Sequence, residues 1–440
     1  MRFIIFLLLW VGFSDASLGQ SLYFPPLTGT QWDSISPDSL NWCPEKIDSL
    51  YQFLDQENSK AFILLKDGKM VLERYFDSFT VDSNWYWASA AKGMMAFMVG
   101  QARENGQLQL TDLSSTYLGT GWTAAPAAKE NQITLWHQLT MTSGLDDGVP
   151  DNRCTIDTCL TYLADAGNRW AYHNAPYTLL ESTLSTATGQ SLNVFTQLQV
   201  KNQTGINGFW LPIGFNNIYF STARSFARWG LLIQNLGAWQ QDTLLHDTAY
   251  FNTMLRPSQN LNPAYGYLWW LNGQSHYRVP TLQTIFPGSY APNAPADMVA
   301  GLGANGQIVS IARQDGLVWI RMGDPPSSTS STVPTLFCNE VWGYLNDLEC
   351  TPLSLAEVPK KSQTHIFPNP TSASARIVLP SEQTHTLTFF NATGQIVWTT
   401  NSKGSLKIAT NDWPTGVYWV QVLPHSEGAA PELLKLVVER

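Results

Sequence analysis

Ser89 and Lys92 stand three residues apart in the stretch WYWASAAKGMM. The apolar pattern that follows predicts a helix over 89–108, opened at Ser89 and stopped by Asn105-Gly106. At that spacing both side chains leave one face of the helix and can meet. A serine hydroxyl attacks poorly until a base removes its proton. A lysine is such a base only where burial or a nearby cation lowers its pKa from about 10.4. The GMMAFMV after Lys92 supplies apolar surroundings of that kind. The chemistry implied is serine attack on a carbonyl and a covalent acyl-enzyme. Taken alone, the same letters also spell an N-cap serine followed by a solvated lysine.

A second stretch, GLGANGQIVSI from Gly301 to Ile311, fits G-x-G-x-x-G at Gly301, Gly303 and Gly306. That spelling cradles a dinucleotide pyrophosphate only between a strand and a helix. Here Gly306 is followed by QIVSIARQDGLVWI, an alternating pattern around Asp315-Gly316 that predicts a hairpin. With no helix N-terminus to hold the phosphates, no dinucleotide and no other cofactor is expected. Glycines that begin a strand instead mark a backbone that must come very close to something.

The elements that must position these residues run from about Trp42 to Cys350. Ala61–Phe76 is two apolar runs around Asp67-Gly68, a predicted hairpin. Helices are predicted near Tyr177–Ala187 and Ala223–Leu236, and strands at Tyr265–Leu271, Gln307–Arg313 and Leu317–Met322. The mixture predicts an α+β fold, an antiparallel sheet packed with helices. Beyond Cys350, TPLSLAEVPKKSQT reads as a linker, and short strand-like runs from His365 to Arg440 predict a small all-β sandwich.

The N-terminal MRFIIFLLLWVGFSDASLGQ has one Arg, a short apolar run and small residues near Ala16 or Gly19. That pattern is a secretory signal, and no second apolar run follows to span a membrane in the mature chain. The expected units are therefore a signal peptide (1–19), a catalytic region (20–350), a linker (351–364) and a sandwich (365–440). Export permits disulfides. Cys154 and Cys159 flank a short loop as a local pair, Cys338 is a partner for Cys350 or Cys43, and one of the five cysteines must stay unpaired. Neither C-x-x-C nor H-E-x-x-H occurs, so no metal is expected. A net charge of −9 in 440 residues argues against a nucleic-acid partner.

Three further stretches, WHQLTMTSGL, WAYHNAPYTLLESTLSTATGQS and STARSFARWGLLIQNLGAW, resemble the serine β-lactamase and penicillin-binding superfamily. The likeness is to its class C-like esterase, D-aminopeptidase and 6-aminohexanoate-oligomer hydrolase branch, in the family's order. It implies a β-lactamase-like antiparallel sheet flanked by helices, with an all-helical subdomain. It also implies that Ser89 is acylated with help from Lys92, that Tyr172 relays protons, and that Asn174 orients substrate or lysine. Gly301–Gln307 falls where the family's third motif lies. There, backbone N–H groups assigned to Gly303 and Ala304 would join that of Ser89 in an oxyanion hole.

The third motif departs from the commoner form by extra residues and by having no Lys, Arg or His between Met298 and Ile311. Arg313 and His276 are the candidates to replace that charge through space. β-Lactamase and DD-peptidase activities therefore rank below hydrolysis of esters or unactivated amides. A G-x-S-x-G elbow is absent, so His137 and His173 are not assigned a triad role, and His173 is expected to point away from the pocket. Asp146 and Asp147 read as a solvated loop, and most of the 18 tryptophans as packing.

In the tail, FPNPTSASARIVL, FFNATGQIVW and WPTGVYWVQVL resemble the C-terminal sorting domain of the type IX secretion pathway of Bacteroidetes. That implies the type IX machinery as a partner and passage through the periplasm and outer membrane, to release or surface anchoring. An accessory sandwich that binds carbohydrate or protein is the alternative. The chain thus reads as an exported serine hydrolase acting on a small-molecule or peptide-like ester or amide. Two alternatives are a β-lactamase or DD-peptidase-type protein and a non-catalytic surface binder or sensor of the same fold.

Overall fold

The computed structural model describes residues 22–327, 333–350, 364–380, 383–425 and 431–440. The expected signal peptide and all but Thr364 of the expected linker lie outside them. In chain order the elements that position the site begin with α1 (Pro44–Gln56), β1 (Ser59–Lys66), β2 (Lys69–Tyr75) and β3 (Asn84–Tyr86). A 3-10 turn (Ala88–Ala91) leads into α2 (Lys92–Glu104). After a region of short helices and loops come α3 (Asn174–Thr178) and α4 (Leu180–Thr188). Then follow β4 (Phe209–Ile213), β5 (Asn216–Thr222), α5 (Ala223–Gln234), β6 (Trp270–Leu271) and β7 (Val299–Gly303). β8 (Gln307–Ala312), β9 (Leu317–Gly323) and α6 (Thr335–Asn346) complete the set.

Six strands form one antiparallel sheet in the order β2-β1-β9-β8-β7-β6. Both predicted hairpins are present, turning at Asp67-Gly68 and Asp315-Gly316. Helices cover both faces. A Cβ on Gly230 of α5 would lie 2.4 Å from Val318 and 3.0 Å from Val309, so the helix presses directly on one face. On the other, Trp342 of α6 donates from Nε1 to the Ser310 hydroxyl at 3.1 Å. Neighbouring residues of a strand point to opposite faces, so Val309 and Ser310 mark the two sides. The α+β expectation holds, because local turn chemistry and period-2 patterning dictate these strands. The tryptophans behave as packing: Trp87, Trp170, Trp229, Trp239, Trp269 and Trp319 are all fully buried.

Two expectations need correction. Of Tyr265–Leu271 only Trp270–Leu271 is strand. Leu268 adopts a left-handed backbone and Gly266 N–H donates to Trp269 O, so the segment folds into a turn first. Among the cysteines, Cys154–Cys159 forms as expected, but the long-range bridge is Cys43–Cys350. Cys338 is the free thiol, buried within α6. The bridge ties the start of α1 to the chain just after α6, where Trp42 and Glu349 also pair.

In the tail, β10 (His365–Phe367), β11 (Ser374–Val378), β12 (His385–Phe390), β13 (Ile396–Ser402), β14 (Ser405–Ala409), β15 (Gly416–Pro424) and β16 (Glu432–Val438) make two sheets. Their orders are β10-β11-β14 and β13-β12-β15-β16. Alternate residues such as Ile377, Leu387, Phe389, Val420 and Leu436 form a core of their own between the sheets.

Candidate active site

β3 delivers the chain to Ser89. Ala88 is forced into the left-handed region, with φ at 47°, so Ser89 is turned sharply off the strand into the 3-10 turn. Lys92 N–H donates to Ser89 O, closing that turn and opening α2. Ser89 is partly exposed, whereas Lys92 is 3% exposed. The solvated-lysine alternative therefore does not hold. α2 runs through the interior, with every residue from Lys92 to Ala102 buried.

Burial drives the Lys92 pKa well below its ordinary value. Its Nζ donates to Asn174 Oδ1 at 2.9 Å and lies 3.5 Å from the centre of the Tyr177 ring. Asn174 is itself held, donating from Nδ2 to Asn152 Oδ1 at 3.1 Å. Tyr172 is 4% exposed. Burial raises its pKa, with smaller opposing effects from hydrogen-bonding interactions with Ser89 and Tyr265. The arrangement thus pairs a lysine whose burial favours the amine with a tyrosine held as the phenol.

The predicted close approach at the glycine strand is real. A Cβ on Gly303 would lie 2.5 Å from Trp87 O, 3.0 Å from Ala90 N and 3.1 Å from Ser89 N. One on Gly301 would lie 2.8 Å from Ala90 O. β7 therefore runs directly against the Ser89 turn, and only hydrogen fits between them. Ala304 starts a short 3-10 turn in which Asn305 is left-handed. Beneath that turn sits Arg321, fully buried, with burial lowering its pKa to about 9. Its Nη1 donates to Asn305 O at 2.8 Å and Gly306 O at 3.2 Å, its Nη2 to Glu57 O and Asp324 O, and its Nε to Ser59 Oγ. Gln307 Nε2 adds a second bond to Asn305 O at 3.0 Å. The carbonyls of the turn are thereby pinned.

Ser89, Lys92, Tyr172 and Asn174 come together, and Gly303 abuts the Ser89 turn with Ala304 next in the chain. Arg313 does not come near. It follows β8 at the end opposite Gln307, roughly 20 Å away at the usual strand rise. Asp147 is not solvated: its carboxylate pairs with Arg169 and is 6% exposed. Asp146 caps the Gly148 N–H. His137 accepts from Thr134 N–H at a helix start, and His173 is 2% exposed, burial pushing its pKa down to about 4. Asn152, Tyr177 and Tyr265 escaped sequence reasoning. Each is an ordinary residue whose partner is brought from elsewhere in the fold, and no local pattern distinguishes it.

The chain matches the beta-lactamase family over residues 52–322 and the secretion system C-terminal sorting domain over residues 365–438. Among solved structures it is similar to a candidate beta-lactamase from Bacteroides dorei DSM 17855. That likeness has 16% identity and a TM-score of 0.55, covering 70% of this chain and 99% of that one. A candidate 6-aminohexanoate-dimer hydrolase from Bacillus anthracis also has 16% identity and a TM-score of 0.55, over 75% and 92%. A penicillin-binding protein homologue from Caulobacter crescentus has 12% and 0.52, over 69% and 98%. At these identities the likeness establishes the fold. No curated protein matches the chain.

Proposed function

The chain belongs to the beta-lactamase family, and on that footing we propose that it hydrolyses ester or amide bonds through an acyl-enzyme on Ser89. The observation that carries this reading is the buried Lys92 amine, deprived of its usual pKa and aimed by Asn174. The sorting domain directs the protein by type IX secretion to the cell surface or exterior.

In acylation, Lys92 Nζ takes the Ser89 proton as Oγ bonds to the substrate carbonyl carbon. The oxyanion accepts hydrogen bonds from the backbone N–H of Ser89 and from the β7 edge at Gly303 or Ala304. Collapse breaks the bond to the leaving oxygen or nitrogen. Tyr172 hands that atom a proton and is reprotonated from Lys92. Water then attacks the acyl carbon, losing its proton along the same route in reverse. Between the two groups, Lys92 suits the base and Tyr172 the donor, because burial favours the neutral form of each.

Esters and unactivated amides are favoured over β-lactams and carboxylate-bearing peptides. The Met298–Ile311 segment offers no cation, Arg313 is remote, and Arg321 is committed to carbonyl oxygens beneath the turn. The test is intact-mass labelling with a fluorophosphonate. A single adduct is expected on the wild type, absent in Ser89→Ala and strongly slowed in Lys92→Ala. A folded wild type that takes no adduct would turn the assignment toward a non-catalytic binder, and labelling of Ser89→Ala would mean another serine reacts.

A further inference from the structure

The small sheet β3-β5-β4 has one buried face and one open face. Trp210, Tyr219 and Ser221 point inward and are buried. On the other face Phe209, Leu211 and Ile213 of β4 are 47, 41 and 47% exposed. Phe220 lies opposite both Phe209 and Tyr86. Three rings thus line up across three strands, with centroids 6.1 and 6.2 Å apart. Leu211 lies beside Ile218, widening the surface. No residue of 84–86 or 208–222 is charged. Exposed strands are ordinarily guarded by charge or proline; β4 carries Pro212 against edge pairing but no charge on its open face, and that apolar face calls for an occupant.

Both ends of this face are tied to the catalytic residues. Tyr86 stands three residues before Ser89, and its hydroxyl accepts from Asn305 Nδ2 at 2.7 Å, in the turn begun by Ala304. At the other end Asn216, opposite Ile213, accepts from Thr178 Oγ1 at 3.3 Å. That hydroxyl also donates to Asn174 O at 3.0 Å. The apolar face therefore runs from the oxyanion turn to the helix that carries Asn174. The strand residues of this face give a charged partner surface nothing to pair with, whereas they suit an uncharged hydrocarbon continuous with a bond held at Ser89.

We propose that this face is the subsite for an apolar arm of the substrate, an uncharged alkyl or aryl group attached to the scissile ester or amide. The proposal rests on Ser89 being the nucleophile. It assigns Phe209, Leu211, Phe220 and Tyr86 to substrate selection, and it makes chain length the variable the enzyme senses.

The experiment uses the full chain and two ester series, p-nitrophenyl acyl esters from acetate to octanoate and acetates of alcohols from methyl to octyl. In one of the two, kcat/KM is expected to rise about tenfold with length. The ratio of long to short substrate should then fall about fivefold or more in Phe209→Ser and Leu211→Ser. Both positions are exposed, so folding is not at stake, and Leu198→Ser, equally exposed but outside this face, should keep the wild-type ratio. Flat series, or ratios unmoved by the substitutions, overturn the subsite while fluorophosphonate labelling of Ser89 still upholds the nucleophile. Loss of labelling overturns both. A dimer by light scattering that Phe209→Ser dissolves would assign the face to self-association instead.

Discussion

Lys92 Nζ sits between two neutral partners, the Asn174 amide oxygen at 2.9 Å and the face of Tyr177 at 3.5 Å from its centre. Neither supplies a negative charge, so burial decides the amine's protonation. An amine that donates to Asn174 keeps a lone pair for the Ser89 proton. The restraint extends one step further, since Asn152 fixes Asn174 and lies two residues before the Cys154–Cys159 bridge.

Acylation should therefore rise with pH through the lowered pKa of Lys92 and level off well below 10.5. Asn174→Asp places a carboxylate against the amine, favouring the ammonium and moving the acid limb to higher pH. Fluorophosphonate labelling at pH 7 should slow about tenfold in this variant and recover toward pH 10. A limb that stays where the wild type has it would remove Lys92 as the base.

The same burial has a stability consequence. The unfolded chain holds the Lys92 proton up to about 10.5, the folded chain only to a lower pH. Between those two values the unfolded state binds more protons, so the wild type loses stability as pH falls through the window and stays low beneath it. Lys92→Met should slow labelling strongly, as Lys92→Ala does, yet raise stability at pH 7 by about 1 kcal/mol. The gain should shrink as pH approaches 10.5. Thermal melts from pH 6 to 10 measure it, and an equal gain at every pH would contradict the linkage.

Sequence carried the parts of this protein that are local. Ser89 and Lys92 announce themselves because one helical turn brings them together, and the Asp67-Gly68 and Asp315-Gly316 hairpins because two residues set each turn. Gly301 and Gly303 told that something comes close, but not that it is the Trp87–Ala90 backbone more than two hundred residues earlier. Tyr177, Tyr265 and Asn152 were silent for the same reason: their partners are fixed by tertiary packing, which no periodicity records. Cys43 and Cys350 were each offered to Cys338 and not to one another, because five cysteines leave several connectivities open.

That bridge closes a loop of 307 residues. Long loops lose the most conformational entropy in the unfolded state, so Cys43→Ser with Cys350→Ser should cost about 4–5 kcal/mol. Denaturant midpoints give the value. Removing Cys154–Cys159, which spans only 5 residues, should cost less stability but loosen Asn152, showing itself in the labelling rate. The opposite ranking of midpoints would show that folded-state contacts near Asn152, rather than chain entropy, dominate.

Gly303 offers the sharpest test of the site's geometry. Its backbone is an ordinary extended one, with φ at −115°, so alanine carries no conformational penalty there. The obstacle is space: the new methyl meets Trp87 O at 2.5 Å and the Ser89 and Ala90 nitrogens at about 3 Å, all backbone atoms that cannot rotate away. β7 must then move off the Ser89 turn, and the two sides of the proposed oxyanion site separate. Gly303→Ala should lower acylation about 100-fold or more, the usual effect of losing one oxyanion donor. Stability should fall by about 1–3 kcal/mol from overpacking. Labelling rate and melting temperature read the two effects separately. A variant that melts lower yet labels within a few fold of the wild type would place the oxyanion donors elsewhere than on this strand.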